Sequence, residues 1–197
     1  MPDDRTHNES PSADLQRRIA QLERSNRALL DSHADIEKLL AFQSRLSVGH
    51  SVEEIFDLSL QAAAELSDNL GSGIFLFADD DRLHLRSISQ SDSRDRFLLE
   101  AHALVDVRLL DWLFKNMQPI ILPAAAEGEH PRLARSVIVA PLTGSGRRVG
   151  VMMTLVRQVE EQIDNRLRKL YNLFAYQVGL SIDNTRLVSQ VRGYNQR

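Results

Sequence analysis

The sequence predicts an α+β domain in which antiparallel hairpins alternate with helices, preceded by a coiled-coil helix and followed by a long C-terminal helix. Three observations predict it. Apolar residues recur alternately four and three apart from Leu15 to Leu40, two strand-length apolar runs flank a glycine-bearing break between Ser136 and Arg157, and heptads fill the final segment.

Residues 1–13 are polar, proline-bearing and without periodicity, and are read as a disordered N-terminus. A coiled-coil helix is expected over 14–48. Leu15, Ile19, Leu22, Asn26, Leu29, His33, Ile36 and Leu40 form an a/d seam, in which Asn26 at an a position favours a parallel pair of strands. Arg18 at g then faces Glu23 at the e position of a second copy, an attractive pairing. His33, at another a position, weakens the seam. The same stripe also fits an amphipathic helix packed on its own domain.

Gly49 is costly inside a helix, and Ser51 with Glu54 three residues on forms a capping box, so a new helix starts at Ser51. Its apolar residues are Val52, Ile55, Phe56, Leu58, Ala62 and Leu66, and its end is expected near Asp68 and Asn69, with Gly71 beyond. "GSGIFLFADDDRLHLRSIS" reads as strand, acidic turn, strand. Asp79, Asp80 and Asp81 are ordinary turn residues without an opposing ligand, so no metal is assigned to them. Residues 91–105 have no clear period. "LLDWLFKNMQ" fits a short helix, "PIIL" after Pro119 a short strand, and "PAAAEGEHPRLAR" a loop long enough to act as a lid.

Gly144, Ser145 and Gly146 followed by Arg147 and Arg148 pose a choice between a phosphate cradle and a hairpin turn. A cradle of the nucleotide-hydrolase type needs a lysine, a hydroxyl and a helix N-terminus directly behind. The segment that follows, Val149 to Met153, is a strand, which favours a hairpin with two glycines in the left-handed region. The last helix is expected from about Val159 to Tyr194. Leu167, Tyr171, Phe174, Val178 and Ile182 make a stripe for the sheet, while Leu170, Leu173, Gln177, Leu180, Asn184, Leu187, Val191 and Tyr194 make a heptad seam for a second copy of the chain.

The chain has 197 residues, 24 basic and 27 acidic, with a net charge of −3 and no block of like charge, so neither nucleic acid nor a membrane surface is an expected partner. No signal core and no run of about 18 apolar residues is present, and the chain is read as cytoplasmic. The absence of cysteine removes thiol nucleophiles, iron–sulfur ligation and thioether-linked pigments. His7, His33, His50, His84, His102 and His130 form no ligand cluster, so no metal site is assigned.

The order helix, hairpin, variable helical region, short strand, hairpin with "APL" and "GRRVGVMM", then a long helix with "LFAYQVGLSIDNTRL", resembles a GAF domain. The similarity covers roughly 51–190, leaving 191–197 as a tail. It implies a central antiparallel sheet with first and last helices on one face at a dimer interface, and a pocket on the other. Pigment-binding relatives and the free methionine sulfoxide reductase relatives use cysteines, which are absent here, and the asparagine-lysine-phenylalanine-aspartate-glutamate signature of cyclic-nucleotide-binding relatives is not recognisable. No cofactor is therefore assigned.

Position within such a domain nominates ligand residues. Trp112 and Phe114 lie in the short helix expected to cover the pocket, His130 and Arg132 in the lid, and His84 and Arg86 on one face of the second strand. The competing reading makes Trp112 ordinary core and leaves His84 and Arg86 in solvent on an edge strand. Three functions follow. The first is a non-catalytic homodimeric regulatory protein whose domain senses a small molecule or docks a partner and acts through a separate output protein. The others are a structural adapter without ligand, and a cyclic-nucleotide or other small-molecule-binding fragment of a larger sensor kinase or cyclase. No nucleophile elbow or paired-carboxylate signature points to an enzyme.

Overall fold

The computed structural model describes residues 11–46, 50–90, 94–106, 109–124 and 135–194. They form α1 (Pro11–Arg45), α2 (Val52–Leu66), β1 (Asn69–Phe77), β2 (Leu83–Ile88), α3 (Arg94–Asp106), α4 (Leu109–Asn116), β3 (Ile120–Pro123), β4 (Ser136–Thr143), β5 (Arg148–Val156) and α5 (Asn165–Tyr194). The chain divides into two compact units, 1–37 and 38–197. The first contributes the helical stretch of α1, on which Leu15, Ile19, Leu22, Asn26, Leu29 and Ile36 are all exposed.

In the second unit one antiparallel sheet runs β2-β1-β5-β4-β3. Side chains alternate across it. Ile74, Leu76, Ile138, Ala140 and Met152 enter a core with α2, α5 and the last turns of α1, where the Phe42 and Phe174 rings lie 4.6 Å apart. Phe75, Val137, Val139, Val151 and Met153 enter a second core with α3 and α4. Because β4 is buried along its whole length, its "SVIVAPLT" reads as one apolar run instead of an alternation.

Local chemistry sets the element ends. The Glu54 N–H donates to Ser51 Oγ at 3.2 Å and the Ser51 N–H to Glu54 Oε2 at 2.7 Å, completing the expected capping box. At the other end α2 stops at Leu66, earlier than expected, since Asn69 turns its amide back to the Ala63 carbonyl at 2.8 Å and itself begins β1. Gly71 consequently lies inside β1 and is not a helix cap. The unassigned stretch 91–105 contains α3, whose Phe97 and Leu104 are buried against the sheet. The final helix begins later than Val159: a short 3-10 turn over Glu160–Gln162 comes first, and Asp164 Oδ1 then accepts the Leu167 N–H at 2.8 Å to start α5.

The sheet-facing stripe of α5 is as expected, with Tyr171, Phe174, Val178 and Ile182 buried and Leu167 partly so. The other stripe needs one correction. Leu170 is only 5% exposed and packs in its own chain's core, whereas Leu173 is 54% exposed and Leu187 and Val191 also face outward. Residues 167, 170, 171 and 174 follow the i, i+3, i+4, i+7 spacing of a single face, so Leu170 belongs with the core set.

Candidate functional site

The turn between β4 and β5 is not an anion cradle open to solvent, for it already holds an anion from its own chain. The Ser145 N–H donates to Asp183 Oδ2 at 2.9 Å, and Arg147 Nη2 donates to Asp183 Oδ1 at 2.6 Å. Asp183 is 3% exposed. Only Gly146 of the two glycines has a positive φ, at 80°, where a side chain would be strained. Gly144 serves a different purpose: a Cβ there would lie within 2.4 Å of the Asp183 Cβ. On α5, one turn before Asp183, a Cβ on Gly179 would come within 2.4 Å of the Thr143 backbone nitrogen. Small residues on both elements thus let helix and hairpin touch backbone to backbone, with a charge-assisted clasp beside the contact.

On the face expected to hold a pocket, the described side chains of α3 and α4 pack on the sheet. Phe97, Leu104 and Leu113 are buried in one cluster with sheet residues, each 1% exposed or less. Of the nominated ligand residues, Phe114 packs partly buried against this core, whereas His84 and Arg86 turn away from it. Leu83 and Leu85 pack into the α3 and α4 core, so His84 and Arg86 project from the opposite face of β2, an edge strand, and are exposed. His84 Nε2 lies 3.6 Å from Asp80, whose carboxyl is held below its usual range chiefly by the Arg82 N–H. Phe114 sits 5.6 Å from Phe77, and the Arg148 guanidinium lies over both rings at 5.8 and 5.4 Å. That pairing, with Arg148 also 3.3 Å from Asp81, ties α4 to the β1–β2 turn. His130 and Arg132 lie outside the described residues.

Trp112 is neither core nor roof: it is 48% exposed and borders a cleft of about 540 Å³ along β3, the sheet's other edge. Leu109 of α4 and Ile120 and Leu122 of β3 supply apolar walls. Across from them, the first turns of α5 contribute Asn165, Arg168, Lys169 and Asn172. These four also sit at i, i+3, i+4 and i+7, and sequence reasoning that followed only apolar stripes passed over them. Arg168 Nη2 is 3.4 Å from Glu160 Oε1, a bordering carboxylate. A second depression, of about 820 Å³, lies between the start of α2 and the late turns of α5, bordered by Val52, Ile55, Leu187 and Val188.

Behind these surfaces the sheet is pinned to the helices by polar contacts. Tyr171 Oη and Ser67 Oγ are 2.7 Å apart, and burial pushes the Tyr171 phenol above its usual range. Ser72 Oγ and Thr154 Oγ1 join β1 to β5 at 3.0 Å. Among the described residues no group of three His, Asp or Glu side chains is placed to hold a metal ion, and no helix is long and apolar enough to cross a membrane.

An antiparallel sheet with β2 and β3 at its edges, helices on both faces and a long final helix clasped to the central hairpin define the class as an α+β domain of GAF-like fold. The chain belongs to the GAF domain family, whose model matches residues 49–183. It is similar in structure to the GAF domain of a candidate sensor histidine kinase from Pseudomonas syringae pv. tomato (TM-score 0.62, 14% identity, 86% of this chain and 99% of that one). The GAF domain of an Acinetobacter phosphoenolpyruvate-protein phosphotransferase is likewise similar (TM-score 0.57, 12% identity, 78% and 95%). So is the free methionine-R-sulfoxide reductase of Neisseria meningitidis in complex with its substrate (TM-score 0.56, 15% identity, 80% and 93%). No curated protein matches the chain by sequence.

Proposed function

We propose that this chain is a non-catalytic, homodimeric regulatory module, in which two copies pair through α1 and the outward stripe of α5 and pass a signal along those helices to a separate output protein. One observation carries the reading. The inner stripe of α5 is fully used by the sheet, yet Leu173, Leu187 and Val191 remain exposed on the same helix. The seam of α1 is apolar and exposed as well, with Asn26 and the Arg18–Glu23 pairing suited to a parallel second copy. Likeness to GAF domains of a candidate sensor kinase and of a phosphotransferase supports an input module working for another domain or protein. With no cysteine, the chain takes no thiol chemistry from its likeness to the reductase.

A structural adapter without ligand is the second reading, favoured by the burial of Phe97, Leu104 and Leu113 between α3, α4 and the sheet. Light scattering and thermal melts on two variants test the dimer. Leu180→Glu, at a half-buried position between Leu173 and Leu187, should dissociate the dimer and keep the fold. Val178→Glu should unfold the protomer, since Val178 is fully buried. A Leu180→Glu protein that unfolds, or that stays dimeric at micromolar concentration, overturns the assignment.

A further inference from the structure

The β3-edge cleft has a chemical character that the fold alone does not require. A helix that only packs on a sheet places apolar or indifferent residues along the sheet's rim. Here the i, i+3, i+4, i+7 face of α5 that meets the cleft carries two amides and two cations, Asn165 and Asn172 around Arg168 and Lys169. The charges do not cancel within the cleft. Glu160 is the one acidic group on its border among the described residues and is paired with Arg168. Lys169 is exposed and has no carboxylate partner among them. The opposite wall is an indole with half its surface open, set beside Leu109, Ile120 and Leu122. A volume of about 540 Å³ falls in the range of small-ligand sites.

The geometry points to this cleft as the binding site for a small carboxylate carried on a planar aromatic ring, the ring lying on Trp112 and the apolar wall, and the carboxylate taken by Lys169 with the Asn165 and Asn172 amides beside it. An ammonium with flanking amide donors suits a monoanion, and an aromatic ring gains stacking on the indole that an aliphatic ring of equal size does not. This deepens the reading of the chain as a sensory module by naming a class of input, and it rests on that reading for its purpose.

Trp112 is the only tryptophan, so its indole N–H gives one resonance that reports on the cleft alone. Benzoate, benzyl alcohol and cyclohexanecarboxylate are titrated into the full chain while that resonance is followed by heteronuclear NMR. Benzoate should shift it saturably and bind at least fivefold tighter than either of the others. Lys169→Gln, at an exposed position where folding is not at stake, should weaken benzoate at least fivefold and leave benzyl alcohol unchanged. Equal binding of benzyl alcohol, no saturable shift, or a Lys169→Gln protein that binds benzoate as before overturns the site. The titration reads each chain separately: a monomer that binds benzoate refutes the dimer alone, and a dimer that ignores it refutes the cleft alone.

Discussion

Asp183 and Arg147 meet at 2.6 Å although one lies on the last helix and the other in the turn of the central hairpin, and the same carboxylate takes the Ser145 N–H. The aspartate is buried while the arginine is more than half exposed, so on breaking the pair the arginine regains water and the carboxylate does not. Asp183→Asn should cost about 1–3 kcal/mol, through the loss of a charged acceptor for both the Ser145 N–H and Arg147. Chemical denaturation measures it, and Arg147→Ala, which leaves the buried carboxylate without its cation, should cost at least as much.

Gly179→Ala forces a methyl group into the Thr143 backbone, and neither partner is a flexible side chain that can yield. A loss of about 2 kcal/mol or more is expected. Gly146→Ala meets open space and only a strained φ, so its cost should be about 1 kcal/mol. Thermal melts on the two variants should rank them in that order.

Trp112 and Leu113 are neighbours with opposite duties. Leu113→Ala removes a fully buried side chain and should cost about 2–5 kcal/mol. Trp112→Ala, at a half-exposed site, should cost about 1 kcal/mol or less, a small loss for so large a truncation.

Leu170 and Leu173 are likewise separable. Leu170→Ala should lower stability by about 2–5 kcal/mol, while Leu173→Ala should leave the melt of the protomer nearly unchanged and weaken self-association. Equal effects on melting would mean that both leucines serve the same face.

The Ser51 N–H chiefly, with the Ser51 hydroxyl, holds the Glu54 carboxyl below its ordinary value of 4.5. A carboxylate of lowered pKa binds its proton less readily in the folded chain, so the stability it lends is complete above about pH 4.5 and drains away as the pH falls through the folded-state value. Glu54→Gln should flatten the acid limb of a pH–stability profile, whereas Ser51→Ala keeps the backbone N–H, lowers stability at neutral pH by about 1 kcal/mol through the lost cap, and leaves most of that limb in place.

Much of this architecture is legible in the sequence because its signals are local. Ser51 and Glu54 cap a helix by contacts three residues apart, and the run from Ser136 to Val156 announces a hairpin through β-branched content around a glycine turn. Helix α3 was hidden because its core contribution rests on a few residues, chiefly Phe97, Ala101 and Leu104, among charged neighbours, too few for a clear period. Leu170 was misassigned because heptad and core stripes share adjacent positions on one helix, and only the width of the sheet contact decides between them. The cleft and the Asp183 clasp depend on pairs as distant as Ser145 and Asp183, 38 residues apart, which no window along the chain brings together. Nor does the alternation of His84 and Arg86 say which face of the sheet they occupy.

The clasp at Asp183 also divides α5 mechanically. N-terminal to it, the helix is welded to the sheet by burial at Tyr171, Phe174, Val178 and Ile182; C-terminal to it, the side chains up to Val191 are half-buried or exposed. From Asp183 to Tyr194 the free portion extends about 16 Å, at 1.5 Å per residue. It is a cantilever whose root is the turn of the β4–β5 hairpin, so a tilt of about 10° at the root displaces the tip by roughly 3 Å over that length. Shifts too small to notice inside the sheet become, at the end of the helix, distances on the scale of a side chain.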